Sequence, residues 1–360
     1  MKIIDLTCEQ EAILLTQPFK TALRTVTQIE TVRVRLELEN GETGWGAAAP
    51  TWAITGDSLS GIKEAVNGPI RSTIIGQDIE NLERLLVAVQ KSCLGNTGAK
   101  AAVDIALHDL YCQVFQIPLY GMLGGMANEL ETDITVSIDE PNVMQKDAMQ
   151  RLKEGFNVLK VKVGNDELLD LRRIESIREA VGPDVRLRLD ANQGWTRKQA
   201  VRIIQMLEDQ ALGIELVEQP VPASDVEGLK FVTERVNTPV MADESVFSPQ
   251  DTFRLLKDSA VDLLNIKLMK CGGIRSAMKI ASIAEAAGVK CMIGSMMESH
   301  LSVTAAAHVA AVHSNITHYD LDAPLWLQKE SLKGGIRYEG RKLTLPKEPG
   351  LGIVAQVLSN

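Results

Sequence analysis

The 360-residue chain has no apolar run near the roughly 20 residues that span a bilayer, so no membrane segment is expected. Its start, MKIIDLTCEQEAILL, lacks a charged stretch followed by an apolar one, and no secretory signal is expected. Cysteine is sparse and odd in number. The five (Cys8, Cys93, Cys112, Cys271, Cys291) are scattered, with no CxxC pair and no zinc spacing. Reduced thiols in a cytoplasm are expected, each more readily a small buried hydrophobe than a nucleophile. There is no Lys/Arg stripe, and the formal net charge is −9, which excludes a nucleic-acid partner. An acidic chain can still take an anionic substrate, but only through local cations or a metal.

What is present is enough chain for one large barrel or for two domains with sizeable cores. Two styles of sequence meet near residue 125. Residues 1–50 read as strands: positions 29–38 alternate, and Asn40-Gly41 is a turn signal. Residues 58–70, 78–91 and 97–115 read as helices, followed by the break Gly121-Met122-Leu123-Gly124-Gly125. Strands followed by segregated helices predict an α+β domain over residues 1–125. After it, short strands are predicted at 133–138, 158–163, 185–190, 215–218, 240–242, 263–268, 291–294 and 318–322, with helical patterns between them. Eight such units over residues 126–325 predict an α/β fold of the (β/α)₈ TIM type, with a doubly wound sheet as the competing arrangement. The Gly/Pro-rich tail, 326–360, is expected to return to the first domain.

Polar residues recur where the predicted strands end. In Leu159-Lys160-Val161-Lys162-Val163, alternation puts both lysines on one face and the apolar residues on the other. In a barrel the apolar face meets the helices, so the lysines point inward. Taken singly, this strand could equally be a solvated edge. The next three strands end in Asp190, Glu218 and Asp243. Any one alone would read as a helix cap or a structural ion pair. Three on consecutive strands, about 4.8 Å apart, converge at a cost in repulsion that a cation relieves. With no His or Cys among them, the set suits Mg²⁺ or Mn²⁺. Asn265 and Lys267 share a face of the sixth strand, so Lys162 and Lys267 flank the carboxylates from opposite sides. Two such lysines can act as bases on opposite faces of one carbon. A neighbouring cation, Lys160 or the metal, would bring Lys162 toward neutrality.

Lys160-Val161-Lys162, Asp190-Ala191-Asn192, Glu218-Gln219-Pro220, Asp243-Glu244 and Asn265-Ile266-Lys267 resemble, in order, the motif set of the enolase superfamily, muconate-lactonizing subgroup. The resemblance covers essentially the whole chain and includes an N-terminal capping domain. It implies Asp190, Glu218 and Asp243 as Mg²⁺ ligands and Lys162 and Lys267 as the acid/base pair. Lys160 would support the substrate carboxylate, with Asn192 and Glu244 behind the ligands. It also implies a homo-oligomer, a dimer or an octamer.

The subgroup includes cycloisomerases, o-succinylbenzoate synthases, N-acylamino acid racemases and dipeptide epimerases, all with the lysine pair, so the substrate must be read elsewhere. Asp320 and Asp322 end the eighth predicted strand and share a face by alternation. They resemble the Asp-x-Asp signature with which dipeptide epimerases hold a substrate amine. Two acidic residues there would repel a dianionic substrate, which argues against muconate and succinylbenzoate. Arg24, in the stretch Phe19-Lys20-Thr21-Ala22-Leu23-Arg24 that resembles a capping loop, could pair with a second substrate carboxylate. An amine at one end and an extra carboxylate at the other describe L-Ala-D/L-Glu. The runner-up is an N-acylamino acid racemase or o-succinylbenzoate synthase, and the non-enzymatic reading is a silent barrel kept for binding. Trp52 and Ile54 form a second loop that could exclude water. Met296 and Met297 serve equally as apolar wall or specificity elements. His300, His308 and His313 are expected on a helix with structural roles, and His318 is undecided.

Overall fold

The computed structural model describes residues 1–125, 127–164, 166–328 and 332–354. Met126, where the barrel was expected to begin, and residues 329–331 and 355–360 of the expected tail lie outside that set.

Three antiparallel strands open the chain: β1 (Ile3–Lys20), β2 (Thr25–Leu38) and β3 (Thr43–Ala48). Alternation on β2 buries Val32, Val34, Leu36 and Leu38 completely. The helix Thr97–Phe115 lies across β3, and glycine makes that approach possible. A Cβ on Gly46 would stand 1.9 Å from the Ala102 carbonyl oxygen, and one on Gly44 would stand 2.5 Å from that of Ala106. Far from this core, the tip of the β1–β2 hairpin carries a second, separate apolar cluster of Ile13, Leu15, Phe19 and Ile29 around Trp326.

The short β4 (Glu129–Glu131) pairs with Lys342–Thr344 from the tail. Eight parallel strands then follow in unbroken spatial order: β5 (Ile134–Val136), β6 (Val158–Lys162), β7 (Arg186–Asp190), β8 (Ile214–Glu218), β9 (Val240–Ala242), β10 (Leu263–Ile266), β11 (Lys290–Gly294) and β12 (Ile316–Asp320). The ring closes where the Asp133 amide donates to the Tyr319 carbonyl at 3.1 Å and the Leu321 amide to the Thr132 hydroxyl at 2.9 Å. This is the TIM-type arrangement, with helices between successive strands. Leu159, Val161, Leu187, Leu189, Val217 and Val240 are fully buried. The tail runs back along the N-terminal elements: Gly350 exchanges backbone hydrogen bonds with Ile117 and Leu119, and the Gln328 amide donates to Leu14. Among the described residues no helix is long and apolar enough to cross a membrane.

Two boundaries differ from expectation. Strand β10 stops at Ile266, and Lys267 instead begins the short helix Leu268–Cys271. Strand β12 stops at Asp320. Asp322 has helical dihedrals (φ −85°, ψ −10°) and leads into the 3₁₀ turn Ala323–Trp326. The alternation argument for Asp322 therefore fails, although the turn still presents it to the site. His313 lies beyond the helix His300–Ala310 rather than on it.

Candidate active site

Strand register assembles the site. Lys162, Asp190 and Glu218 are direct neighbours across β6, β7 and β8, and Glu218 is opposite Met241, two residues before Asp243. At the strand ends Asn192 and Gln219 take left-handed backbone conformations (φ 41° and 37°), the strained geometry that often accompanies functional turns. Gln219 then holds the next strand end, its side-chain oxygen accepting from the amides of Asp243 at 2.9 Å and Ser245 at 3.2 Å.

The lysines meet the carboxylates directly. Lys160 Nζ lies 2.7 Å from Asp320, 2.8 Å from Glu218 and 3.1 Å from Asp190. Lys162 Nζ is 2.6 Å from Asp190, and Lys267 Nζ is 2.7 Å from Asp243. All seven residues in these contacts are buried, so electrostatics are strong. Burial alone would raise the Asp190 carboxyl, but Lys162 and Lys160 outweigh it and hold the group at about 2. Asp243 likewise resists burial through Lys267 and Lys270 and stays well below the usual carboxylate range. Glu218 is pushed up to about 7, first by burial and then by the charge of Asp190. Glu244 is pushed to about 8 by burial and then by Asp243. Burial opposes the charge on Lys267, yet Asp243 prevails and raises its pKa.

The cavity enclosed by these groups is about 60 Å³ and is lined by Phe19, Arg24 and Ile54 from the N-terminal elements and by Ser295, Met296 and Met297 after β11. Both Asp320 and Asp322 line it. Arg24 is half-buried, its pKa lowered by burial, and it has no ion pair among the described residues. Trp52 is not part of the wall; it is 71% exposed on the surface. His318 lies at the other end of the barrel, and the buried thiols of Cys112, Cys271 and Cys291 are pushed up to about 12 by burial, so none is a nucleophile in waiting. A larger groove of about 1360 Å³ lies between the helices Leu82–Lys91, Thr97–Phe115 and Ile274–Ala286, remote from the strand-end carboxylates.

Sequence reasoning missed Lys270. Its ammonium is fully buried, 2.6 Å from Asp243 Oδ1 and 3.0 Å from the Asn265 carbonyl. The available signal was a lysine one helical turn after Lys267 in an otherwise apolar run. Trp326, which donates to Asp322 at 3.0 Å, was also missed.

Residues 143–356 match the enolase C-terminal domain-like family, and residues 3–124 match the N-terminal domain of the mandelate racemase / muconate lactonizing enzyme family. The chain belongs to the enolase superfamily. It is 51% identical over 359 residues to the L-Ala-D/L-Glu epimerase of Bacillus subtilis, covering 99% of this chain and 98% of that one. It is 47% identical to the hydrophobic dipeptide epimerase of Enterococcus faecalis, covering 98% and 99%. The substrate-liganded structure of the Bacillus enzyme superposes with a TM-score of 0.97 over 99% of both chains. The Enterococcus enzyme complexed with Mg and L-Leu-L-Tyr superposes at 0.95 over 98% and 99%. This superfamily member is an isomerase of the epimerase/racemase class.

The superfamily implies a divalent metal, and the strand-end carboxylates Asp190, Glu218 and Asp243 fit one. Their donors are all oxygen, as a hard cation prefers. Six buried carboxyl groups (Asp190, Glu218, Asp243, Glu244, Asp320, Asp322) meet four buried lysines (Lys160, Lys162, Lys267, Lys270), a surplus of two negative charges when all are ionised. Asn192 Oδ1, Glu244 Oε2 and Asn265 Oδ1 are buried acceptors without a hydrogen-bond partner. Among the described residues the carboxylates do not form a ready-made ligand cluster, because the ammonium groups stand between them.

Proposed function

We propose that the enzyme epimerises L-Ala-D/L-Glu at the α-carbon of its C-terminal residue, with Mg²⁺ held by Asp190, Glu218 and Asp243. The observation that carries this reading is that opposite charges line one cavity. Asp320 and Asp322 suit a substrate amine, and Arg24, without an ion pair among the described residues, suits a side-chain carboxylate. The lysine pair lines the same cavity. Lys162 and Lys267 would take and return the α-proton on opposite faces, since each projects from a different side of the carboxylate row. Lys160 would face the substrate carboxylate, and Asn192, which donates to Glu244 at 3.3 Å, would steady the ligand strands. Mg²⁺, when bound, supplies positive charge where the substrate carboxylate gains electron density as the proton leaves. The relatives support a dipeptide, and the Bacillus name supports Ala-Glu in particular. The Enterococcus relative, at 47% identity, acts on hydrophobic dipeptides, so identity alone does not choose the side chain and Arg24 becomes the deciding residue.

The test is a turnover assay on metal-stripped and Mg²⁺-restored enzyme with four substrates. Restored enzyme should act on L-Ala-L-Glu at least about tenfold better than on its N-acetyl derivative, because a charged hydrogen bond contributes about 1.5–3 kcal/mol. Arg24→Ala should reduce kcat/KM for Ala-Glu more than for Ala-Ala. N-acetyl-Glu turning over as well as Ala-Glu would establish the acylamino acid racemase reading instead. Equal loss on both dipeptides would give Arg24 a structural part only.

A further inference from the structure

We infer that Trp326 is a positioning residue that ties amine recognition to the docking of the hairpin tip; this rests on the reading of Asp322 as an amine acceptor. Trp326 is 2% exposed and holds two sides of the site together. Toward the barrel, its indole N–H donates to Asp322 Oδ2 at 3.0 Å, and the Thr135 amide donates to the same oxygen at 2.8 Å. These two donors fix the plane of a carboxylate whose backbone is not in the strand and has no ladder to orient it. Toward the hairpin, Phe19 meets the indole edge-on, with ring centroids 5.2 Å apart and planes at 89°. The Thr16 hydroxyl donates to the Trp326 carbonyl at 3.2 Å, and Gln328 donates to the Leu14 and Leu15 carbonyls.

The apolar cluster around Trp326 is separate from the main core. The hairpin tip therefore has its own apolar anchorage, in which Trp326 is the buried contribution from outside the hairpin and Met297 and Leu327 pack beside it; Lys20 adds a backbone bond to Ile138 and an ion pair with Asp139. Phe19 also places its ring 5.8 Å from Lys162 Nζ, and the four residues after Lys20 return to Arg24 through a turn closed by the Thr21 amide and the Arg24 carbonyl at 2.9 Å. One indole thus spans the residue proposed for the amine and the segment that bears Arg24. A tip that docks badly would loosen Asp322, and a displaced indole would loosen the tip.

The test is Trp326→Phe, which keeps a ring for Phe19 and deletes the N–H. The expected result is a KM for L-Ala-L-Glu raised about tenfold with kcat within about threefold, and no comparable change for N-acetyl-Ala-Glu. Asp322→Asn combined with Trp326→Phe should cost no more than Asp322→Asn alone, since the indole acts through that carboxylate. A purely structural indole would weaken both substrates alike and add its loss to that of Asp322→Asn; either outcome overturns the inference. If Trp326→Phe does not fold, Thr16→Val, which cuts only the bond to the Trp326 carbonyl, should lower the free-amine preference by about threefold, and an unchanged preference overturns the inference. Wild-type enzyme that shows no preference for the free amine would instead overturn the reading of Asp322, and the inference with it.

Discussion

At the base of the barrel Arg188 donates to Asp133 at 2.8 Å and to Glu215 at 2.5 Å, and Arg186 reaches the same glutamate at 3.2 Å. At the mouth, two residues further along β7, Lys160 is shared among three carboxylates and Lys270 and Lys267 both draw on Asp243. Arg188 and Asp133 are buried as deeply as the mouth groups, whereas Arg186 and Glu215 are partly exposed. The base matches two guanidinium groups with two carboxylates and leaves one orphan oxygen, on Asp133, whereas the mouth keeps surplus carboxylates and orphan acceptors on Asn192, Glu244 and Asn265. Buried charge by itself therefore does not mark an active site; uncompensated buried charge around a cavity does.

This contrast is sharpened first by the mouth lysines. Lys162→Ala or Lys267→Ala should lower epimerisation by about 10²- to 10⁴-fold, the span of a general acid or base. In D₂O each variant should still exchange the α-proton of one epimer: Ala-L-Glu for Lys162→Ala, and Ala-D-Glu for Lys267→Ala. NMR of the α-proton reads this, and equal loss of exchange for both epimers in both folded variants would remove the separate facial roles.

The base should respond in stability instead. Arg188→Met strands Asp133 and leaves Glu215 to Arg186 alone, and a broken buried pair typically costs about 3–5 kcal/mol. Denaturant unfolding should show that loss, while the folded fraction keeps its kcat. A loss of kcat without a loss of stability would make the base part of the catalytic apparatus and end the contrast.

The smallest effect concerns pH. His318, at the base, is pushed down to about 4 by burial and then by Arg188. The unfolded chain takes up this proton near pH 6.5, whereas the folded chain refuses it until about 4. Stability should therefore fall as pH drops from about 6.5 toward 4 and be unaffected by this group above that window. The side chain is partly exposed, so the slope should stay below about 1.4 kcal/mol per pH unit. His318→Asn should flatten it, as measured by thermal unfolding between pH 7 and 4.5; an unchanged slope would assign the acid sensitivity to other groups.

Much of this was legible because short-range rules govern it. Period-two alternation placed Lys160 and Lys162 inward, since β6 buries its apolar face against helices. Hydrophobic runs broken by strand-end carboxylates located Asp190, Glu218 and Asp243. Alternation failed at Asp322, where the strand had already ended and a 3₁₀ turn took over. It also gave no hint of Lys270 or Trp326, whose partners, Asp243 and Phe19, are 27 and 307 positions away in sequence. Trp52 misled because a loop residue's exposure depends on neighbours that the sequence does not name.

The sequence by itself determined the eight-unit periodicity, the inward lysines and the order of the strand-end carboxylates, because each follows from backbone geometry over a few residues. Only the tertiary structure decided how the charges divide among partners. Which lysine neutralises which carboxylate depends on strand register, since Asp190 stands beside both Glu218 and Lys162 through pairings between strands 28 residues apart in sequence. It also decided that a hairpin tip at residue 19 and a turn at residue 326 share one indole, a contact fixed by packing across the mouth and by no local pattern.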